Sequence, residues 1–146
     1  MIRQAASRYP RKEAGLLPVL LSIQLQHGCI SPEAELLVAD ALDIHPVKVR
    51  EVVTFYTLLS REPRGTYHIR VCANLSCCLG GGKAILDHLE KKLGLEPGGK
   101  TADGQFSLET VECQGHCDEA PCMLVNSEYH GNLNPEKIDK ILGDLS

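Results

Sequence analysis

The sequence predicts an α+β protein in two parts, an N-terminal helical bundle over residues 1–64 and an α/β domain over residues 65–146. Apolar residues recur at helical spacing in the first part, whereas the alternation typical of strands begins only after "REPRGT". Pro63 and Gly65 in that hexapeptide favour a boundary there, because both residues interrupt regular structure.

Three helices are predicted in the N-terminal part. The first, within "EAGLLPVLLSIQLQHG", should end at Gly28, since glycine readily adopts the left-handed conformation that follows a helix. The second, "SPEAELLVADAL", begins with Ser31 as its N-cap. The third, "HPVKVREVVTFYTLLS", has apolar residues at helical spacing: Val49, Val52, Val53 and Tyr56. We expect this bundle to be a packing and docking module.

In the second part, the sequence predicts a sheet with two helices. "TYHIRVCA" alternates apolar residues with His68 and Arg70, which indicates a strand with one polar face. A helix over residues 82–93, a strand in "QFSLETVEC", a hairpin that turns near Asn126 and a helix capped by Asn134 follow. The order β-α-β-β-α is typical of a thioredoxin-like domain whose first strand and helix form a crossover unit.

Composition argues against nucleic-acid binding. The 146 residues carry a net charge of −4, only 4% are aromatic and Trp is absent, so neither a basic stripe nor a base-stacking surface is expected. The apolar run near the N-terminus is interrupted by Glu13 and Pro18, and no run is long enough to cross a bilayer. We therefore expect a cytoplasmic chain without direct membrane insertion.

Seven cysteines are the strongest compositional signal. An odd number suits a closed disulfide framework poorly, and clustered thiols in the cytosol more often bind metal or react. Cys72 and Cys77 have the spacing C-x₄-C after one strand, and Cys113 and Cys117 have the spacing C-x₃-C after another. Two thiolate pairs are what a 2Fe–2S cluster needs, although structural zinc also uses four thiolates. The longer C-x₄-C spacing favours the cluster and leaves zinc as the alternative.

The stretches "VCANLSCCLGGGKAILDHLEKKLG", "GQFSLETVECQGHCDEAP" and "YHGNLNPEKIDKIL" resemble the thioredoxin-like 2Fe–2S subunit of NADH:quinone oxidoreductase. Related subunits occur in NAD(P)-linked hydrogenases and formate dehydrogenases. The resemblance extends to "EVVTFYTLL" in the helical part and so covers nearly the whole chain. It implies one 2Fe–2S cluster on this chain, ligated by Cys72, Cys77, Cys113 and Cys117.

The resemblance also implies an electron-carrying subunit with no catalytic residues and no substrate site of its own. FMN, NADH and a 4Fe–4S cluster are expected only on a flavoprotein partner within a larger oxidoreductase complex, which would hold the chain at the cytoplasmic face of a membrane. The host could be NADH:quinone oxidoreductase, a hydrogenase or a formate dehydrogenase. The helical part is expected to clamp the flavoprotein through an apolar face between Val52 and Leu59.

Several residues depart from the family pattern. Cys78 follows a ligand directly, and Cys122 occupies a position where the family often has an apolar residue; both are expected to pack, although Cys122 could replace a lost ligand or react with oxidants. Cys29 is expected to be a packing residue. His116 is interpreted as an exposed loop residue, with a hydrogen bond or charge near a ligand sulfur as the alternative.

Two further patterns bear on function. "LGGGKA" lacks the spacing of a phosphate-binding loop, so Gly80, Gly81 and Gly82 are expected to let backbone N–H groups approach the cluster sulfurs or a partner. The acidic residues Glu112, Asp118 and Glu119 are interpreted as a solvated rim. A thiol oxidoreductase would normally carry C-x-x-C, which does not occur, and a free-standing ferredoxin would lack the helical part.

Overall fold

The structure is a computed structural model that describes residues 8–145. The chain separates into two compact units between Pro63 and Arg64. Among the residues described, no helix is both long and apolar enough to cross a membrane.

The first unit is helical, as predicted. After a 3₁₀ turn at Lys12–Gly15 come three helices: α1 Leu16–His27, α2 Pro32–Leu42 and α3 Pro46–Phe55. Gly28 ends α1 in the left-handed conformation, with φ of 79°. The Ser31 hydroxyl accepts a hydrogen bond from the Ala34 N–H at 3.2 Å and so caps α2.

The third helix is shorter than the prediction. It ends at Phe55, and Tyr56 adopts an extended conformation with ψ of 111°. The Leu59 N–H then bonds the Tyr56 carbonyl at 2.9 Å, and this turn buries Leu59 in the helical core. Tyr56 is therefore 38% exposed and does not belong to the buried stripe of α3, to which Val49 and Val53 do belong.

A buried carboxylate lies at the edge of the helical core. Glu35 on α2 is 2% exposed and accepts hydrogen bonds from Arg50 on α3 and from Arg61, the latter at 3.0 Å. A charge removed from water requires such partners, because its desolvation is otherwise costly. The network thus joins α2 to α3 and to the chain that follows α3.

The second unit is a four-stranded mixed sheet with helices. Its strands are β1 Tyr67–Cys72, β2 Phe106–Val111, β3 Met123–Val125 and β4 Glu128–His130, in the order β2-β1-β3-β4. Strand β1 is parallel to β2 and antiparallel to β3, which pairs antiparallel with β4. The helices are α4 Leu75–Leu79, α5 Gly82–Leu93 and α6 Pro135–Asp144.

The predicted order of elements is confirmed, with one addition. Helix α5 forms the crossover between the parallel strands β1 and β2 and contacts β1 and α6. The hairpin turns at Asn126, whose φ is 55°, and Asn134 caps α6 by accepting from the Lys137 N–H at 2.8 Å. The addition is α4, a helix of five residues between β1 and α5, which the sequence did not predict.

His68 lies on the polar face predicted for β1, but this part of the face is not open to solvent. His68 is only 7% exposed, and β1 is an inner strand flanked by β2 and β3. Its Nδ1 lies 2.9 Å from the Ser107 hydroxyl and its Nε2 lies 3.0 Å from the Glu109 carboxylate, both on β2. The imidazole is thus a buried polar group whose two nitrogens are both hydrogen-bonded.

Candidate iron–sulfur centre

Three buried thiols converge at one end of the sheet. The Sγ atoms of Cys72, Cys77 and Cys122 all lie within 4.8 Å of one another. Each of these cysteines is at most 4% exposed, and Ala120 and Tyr129 pack against them. Within the described part of the chain, this group offers soft ligands at distances that suit a metal centre.

Cys72 and Cys77 meet because the chain reverses direction between them. Cys72 is the last residue of β1, and Asn74 then caps α4 by accepting from the Leu75 N–H at 2.8 Å. Cys77 lies on the inner face of α4 and is 2% exposed. The prediction placed both thiols after a strand; in the structure Cys72 ends the strand, and a short helix returns Cys77 to the strand end.

Cys113 and Cys117 lie in the segment after β2. Since β1 and β2 are parallel and Cys72 is paired in register with Val111, both predicted cysteine pairs follow neighbouring carboxyl ends of the sheet. The Cys72 Sγ lies 3.9 Å from the Glu112 carbonyl, one residue before Cys113.

The second pair differs from the first in exposure. Cys113 and Cys117 are both exposed and do not belong to the group of three converging thiols. Gly115, with φ of 79°, turns the chain so that its N–H donates to the Cys113 Sγ at 3.3 Å. Cys117 begins a 3₁₀ turn with Asp118 and Glu119.

Burial and contacts between the thiols shift the pKa values of the three converging cysteines. For Cys72, burial works to raise the pKa, but hydrogen bonds from the Asn74 backbone, from Cys77 and from the Gln114 backbone outweigh it, so the pKa is lowered. Burial and the contact with Cys72 raise the pKa of Cys77 to about 12. Burial also raises the pKa of Cys122. Burial therefore acts to raise the pKa of all three thiols, and at Cys72 the hydrogen bonds outweigh it.

The loop that carries Cys117 also places an aromatic contact beside the thiols. His116 is exposed, and its ring stacks on Tyr129 with centroids 3.8 Å apart. The Tyr129 hydroxyl is buried and has no hydrogen-bond partner within residues 8–145. Its pKa is raised, first by burial and then by the charge of Cys122. The exposure of His116 agrees with its interpretation as an exposed loop residue.

The other residues that the sequence analysis considered lie outside the group of three converging thiols. Cys78 is exposed and its thiol donates to the Ala73 carbonyl at 3.3 Å, while Cys29 is half-buried in the helical unit. The Gly80 N–H bonds the Ser76 carbonyl at 2.9 Å and the Gly81 N–H bonds the Cys78 carbonyl at 3.2 Å. These N–H groups were expected to approach the cluster sulfurs or a partner, but those of Gly80 and Gly81 bond backbone carbonyls at the end of α4 instead.

Tyr129 is a site residue that the sequence did not predict, and Cys122, which was expected to pack, lies beside a proposed ligand. Cys122 immediately precedes β3, and its carbonyl accepts from the Cys72 N–H at 3.1 Å. Its position next to Cys77 follows from the pairing of β3 with β1, and no local sequence pattern predicts this pairing. The one available signal was an additional cysteine close after Cys117.

The donor set fits a 2Fe–2S cluster. Such a cluster takes four thiolates, and the described residues place six cysteines in β1, α4 and the segment that follows β2. Two of them, Cys72 and Cys77, are already close together and largely shielded from water.

Comparison with known families decides what kind of centre this is. The family model described as "Thioredoxin-like [2Fe-2S] ferredoxin" matches residues 2–146. The chain belongs to this family. Membership confirms the predicted fold class, the predicted resemblance and the predicted cofactor, a 2Fe–2S cluster.

Curated relatives of this thioredoxin-like ferredoxin are named as subunits of one enzyme complex. A subunit of the NADH-quinone oxidoreductase of Rhizobium meliloti (strain 1021) is 44% identical over 141 residues, which are 97% of this chain and 84% of the relative. Its counterpart in the NADH-quinone oxidoreductase of Mycobacterium tuberculosis (strain ATCC 25618 / H37Rv) is 35% identical over 143 residues, 98% of this chain but 57% of the relative.

A solved structure has the same fold. The NAD+-reducing [NiFe]-hydrogenase in the H2-reduced state aligns with a TM-score of 0.77 over 90% of this ferredoxin, with 23% identity. The chain spans about a fifth of that protein, since the match covers 22% of it. At this identity the likeness concerns the fold alone.

Proposed function

We propose that this chain is an electron-transfer subunit whose single 2Fe–2S cluster is held by Cys72, Cys77, Cys113 and Cys117. The observation that carries the proposal is the position of these two thiol pairs after neighbouring parallel strands, in a chain of the 2Fe–2S family. The two segments that bear the pairs run side by side, since the Ala73 N–H bonds the Val111 carbonyl at 2.8 Å.

Each pair contributes differently to the site. When bound, a 2Fe–2S cluster supplies a one-electron redox couple. Cys72 and Cys77, both buried, supply ligands on a side from which water is excluded. Cys113 and Cys117 are exposed and supply ligands on the side that faces solvent or a partner. The Gly115 N–H, which donates to the Cys113 sulfur, helps to orient that ligand.

We propose that the redox partner is an NADH-oxidising subunit that binds FMN and a 4Fe–4S cluster, within NADH:quinone oxidoreductase. The names of the curated relatives support this host, and their identity extends over nearly the whole chain. An NAD(P)-linked hydrogenase is the second candidate, favoured by the common fold with an NAD+-reducing hydrogenase. In either host this chain would be a non-catalytic electron carrier in the cytoplasm.

The helical unit offers a surface for this partner. Phe55 is 76% exposed and Leu58 is 51% exposed, although large apolar side chains are usually buried. Together with Tyr56 they lie at the end of α3, within the region predicted to dock. We propose that these three side chains, the α3-end patch, contact the flavoprotein.

The first experiment is metal analysis of the anaerobically purified full chain, followed by EPR after dithionite reduction. We expect two irons and two acid-labile sulfides per chain and a spin-half signal. Alanine substitution of Cys113 or Cys117 should abolish the normal cluster. Cys78→Ala is the matched control and should retain the wild-type spectrum, because this thiol is exposed and bonded to a backbone carbonyl. One zinc without sulfide, from iron-replete cells, would reject electron transfer in favour of a structural zinc site.

A further inference from the structure

Cys122 is held against both buried cysteines of the site. Its Sγ lies 3.7 Å from the Cys77 Sγ, at hydrogen-bonding distance for two sulfurs. Its carbonyl accepts from the Cys72 N–H, so its backbone is also tied to the end of β1. At 1% exposure it has little access to water. The proposed ligand set gives this thiol no role.

The direction of the contact between the two sulfurs follows from their chemistry. In the free thiols, either sulfur could be the donor. A cysteine that ligates iron does so as thiolate and has lost its proton. If Cys77 is a ligand, the only proton left between the two sulfurs is the one on Cys122.

We propose that Cys122 donates an S–H···S hydrogen bond to the Cys77 sulfur and thereby raises the reduction potential of the cluster. This inference depends on the proposed function, in which Cys77 is a ligand. Reduction adds negative charge to the centre, part of which is carried by its sulfurs, so a donor aimed at a ligand sulfur stabilises the reduced form more than the oxidised form. Burial strengthens the effect, since the bond is formed in a medium of low dielectric constant.

The surroundings of Cys122 keep the thiol in place. The Tyr129 ring packs against the three buried cysteines and is itself covered by the His116 ring. Gly131 leaves room for the Tyr129 hydroxyl, because a Cβ at this glycine would lie 2.6 Å from it. The Cys122 side chain is therefore confined within a cluster of buried thiols against which a large aromatic ring packs. We regard Cys122 as a positioning and tuning residue, distinct from the four proposed ligands.

The test compares Cys122→Ala and Cys122→Ser in the full chain, purified anaerobically. Both variants should retain two irons and two sulfides. In an EPR-monitored redox titration, Cys122→Ala should lower the ratio of reduced to oxidised cluster at a given potential by about tenfold, a shift of about 59 mV for a one-electron couple. Cys122→Ser should recover part of the shift, since a hydroxyl also donates. Cys78→Ala removes a neighbouring thiol that points elsewhere and should leave the potential unchanged.

A spectroscopic readout separates this role from simple packing. In addition to any coupling from the Gly115 N–H that donates to Cys113, the wild-type cluster should show a second coupling to an exchangeable proton that disappears in D₂O. This second coupling should be absent from Cys122→Ala and present in Cys122→Ser. An unchanged potential in Cys122→Ala would overturn the inference. Loss of iron from both Cys122 variants would also overturn it, by making Cys122 a ligand. A wild-type chain without a cluster would instead reject the proposed function, and this inference with it.

Discussion

The imidazole of His68 is hydrogen-bonded to the carboxylate of Glu109 across two parallel strands, with Nε2 3.0 Å from the carboxylate oxygen. This hydrogen bond is the largest cause of the lowered pKa of Glu109. The same imidazole bonds the Ser107 hydroxyl through its other nitrogen. The pair therefore joins β1 to β2 just before the strands reach the candidate ligands.

Glu109→Gln should destabilise the protein at neutral pH and have less effect in acid. Because the pKa of Glu109 is lower in the folded than in the unfolded chain, its ionised form contributes stability above the ordinary value of 4.5. That contribution is lost as the pH falls through the lowered folded value. Urea unfolding at pH 7 should show a loss of about 1 kcal/mol, and the loss should shrink in a pH series below 4.5.

Glu128→Gln is the matched control for this series. The Glu128 side chain is 77% exposed, and its carboxylate lies 3.9 Å from the His130 imidazole. Its substitution should change the urea midpoint little at any pH. A pH dependence in the control equal to that of Glu109→Gln would contradict the assignment to the His68 pair.

Arg50→Ala should destabilise the helical unit by about 2 kcal/mol, because it leaves the buried carboxylate of Glu35 with Arg61 as its remaining ion-pair partner among the described residues. Lys48→Ala removes an exposed ion pair with Glu51 on the same helix and should cost less than about 1 kcal/mol. Chemical denaturation followed by circular dichroism measures both. Equal losses in the two variants would show that the burial of Glu35 has no energetic consequence.

Gly82→Ala should lower both stability and cluster content. A Cβ at this position would lie 2.7 Å from the Cys77 carbonyl oxygen, closer than real Cβ contacts come, so α4 or α5 would have to shift. A shift of α4 moves a proposed ligand. Iron analysis and thermal unfolding of the full chain should both report the change.

Gly143→Ala is the corresponding control on α6. A Cβ there meets no atom within 4 Å, and alanine favours the helix by about 0.5–1 kcal/mol over glycine. This variant should keep its iron and be as stable as the wild type or more so. Normal iron content in Gly82→Ala would mean that the approach of α5 to Cys77 is not needed for the site.

Phe55→Ala should weaken binding to the purified flavoprotein subunit by about tenfold or more, since large exposed aromatic residues often dominate an interface. Calorimetry with the two purified subunits would measure this. Leu37→Ala, at a 65% exposed position on α2, should leave the affinity unchanged if docking uses the α3-end patch. A larger effect of Leu37→Ala would place the interface elsewhere on the helical unit.

Most elements of the fold could be predicted because their signals are local. Ser31 and Asn134 each cap a helix through their own side chains, and Gly28 ends one through its own backbone conformation. The burial of His68 could not be predicted in this way. Its partners, Ser107 and Glu109, are about forty residues away, and only the sheet order makes β1 an inner strand.

The same distinction between local and long-range signals applies to the candidate site. By itself the sequence determined the two cysteine pairs, because their spacing after predicted strands is enough to indicate a four-thiolate centre, and the family confirms the cofactor. Only the tertiary structure decided that Cys72 and Cys77 are buried while Cys113 and Cys117 are exposed. It alone placed Cys122 beside Cys77, because that contact depends on β3 pairing with β1, and strand pairing is set by packing across the whole sheet rather than by any one segment.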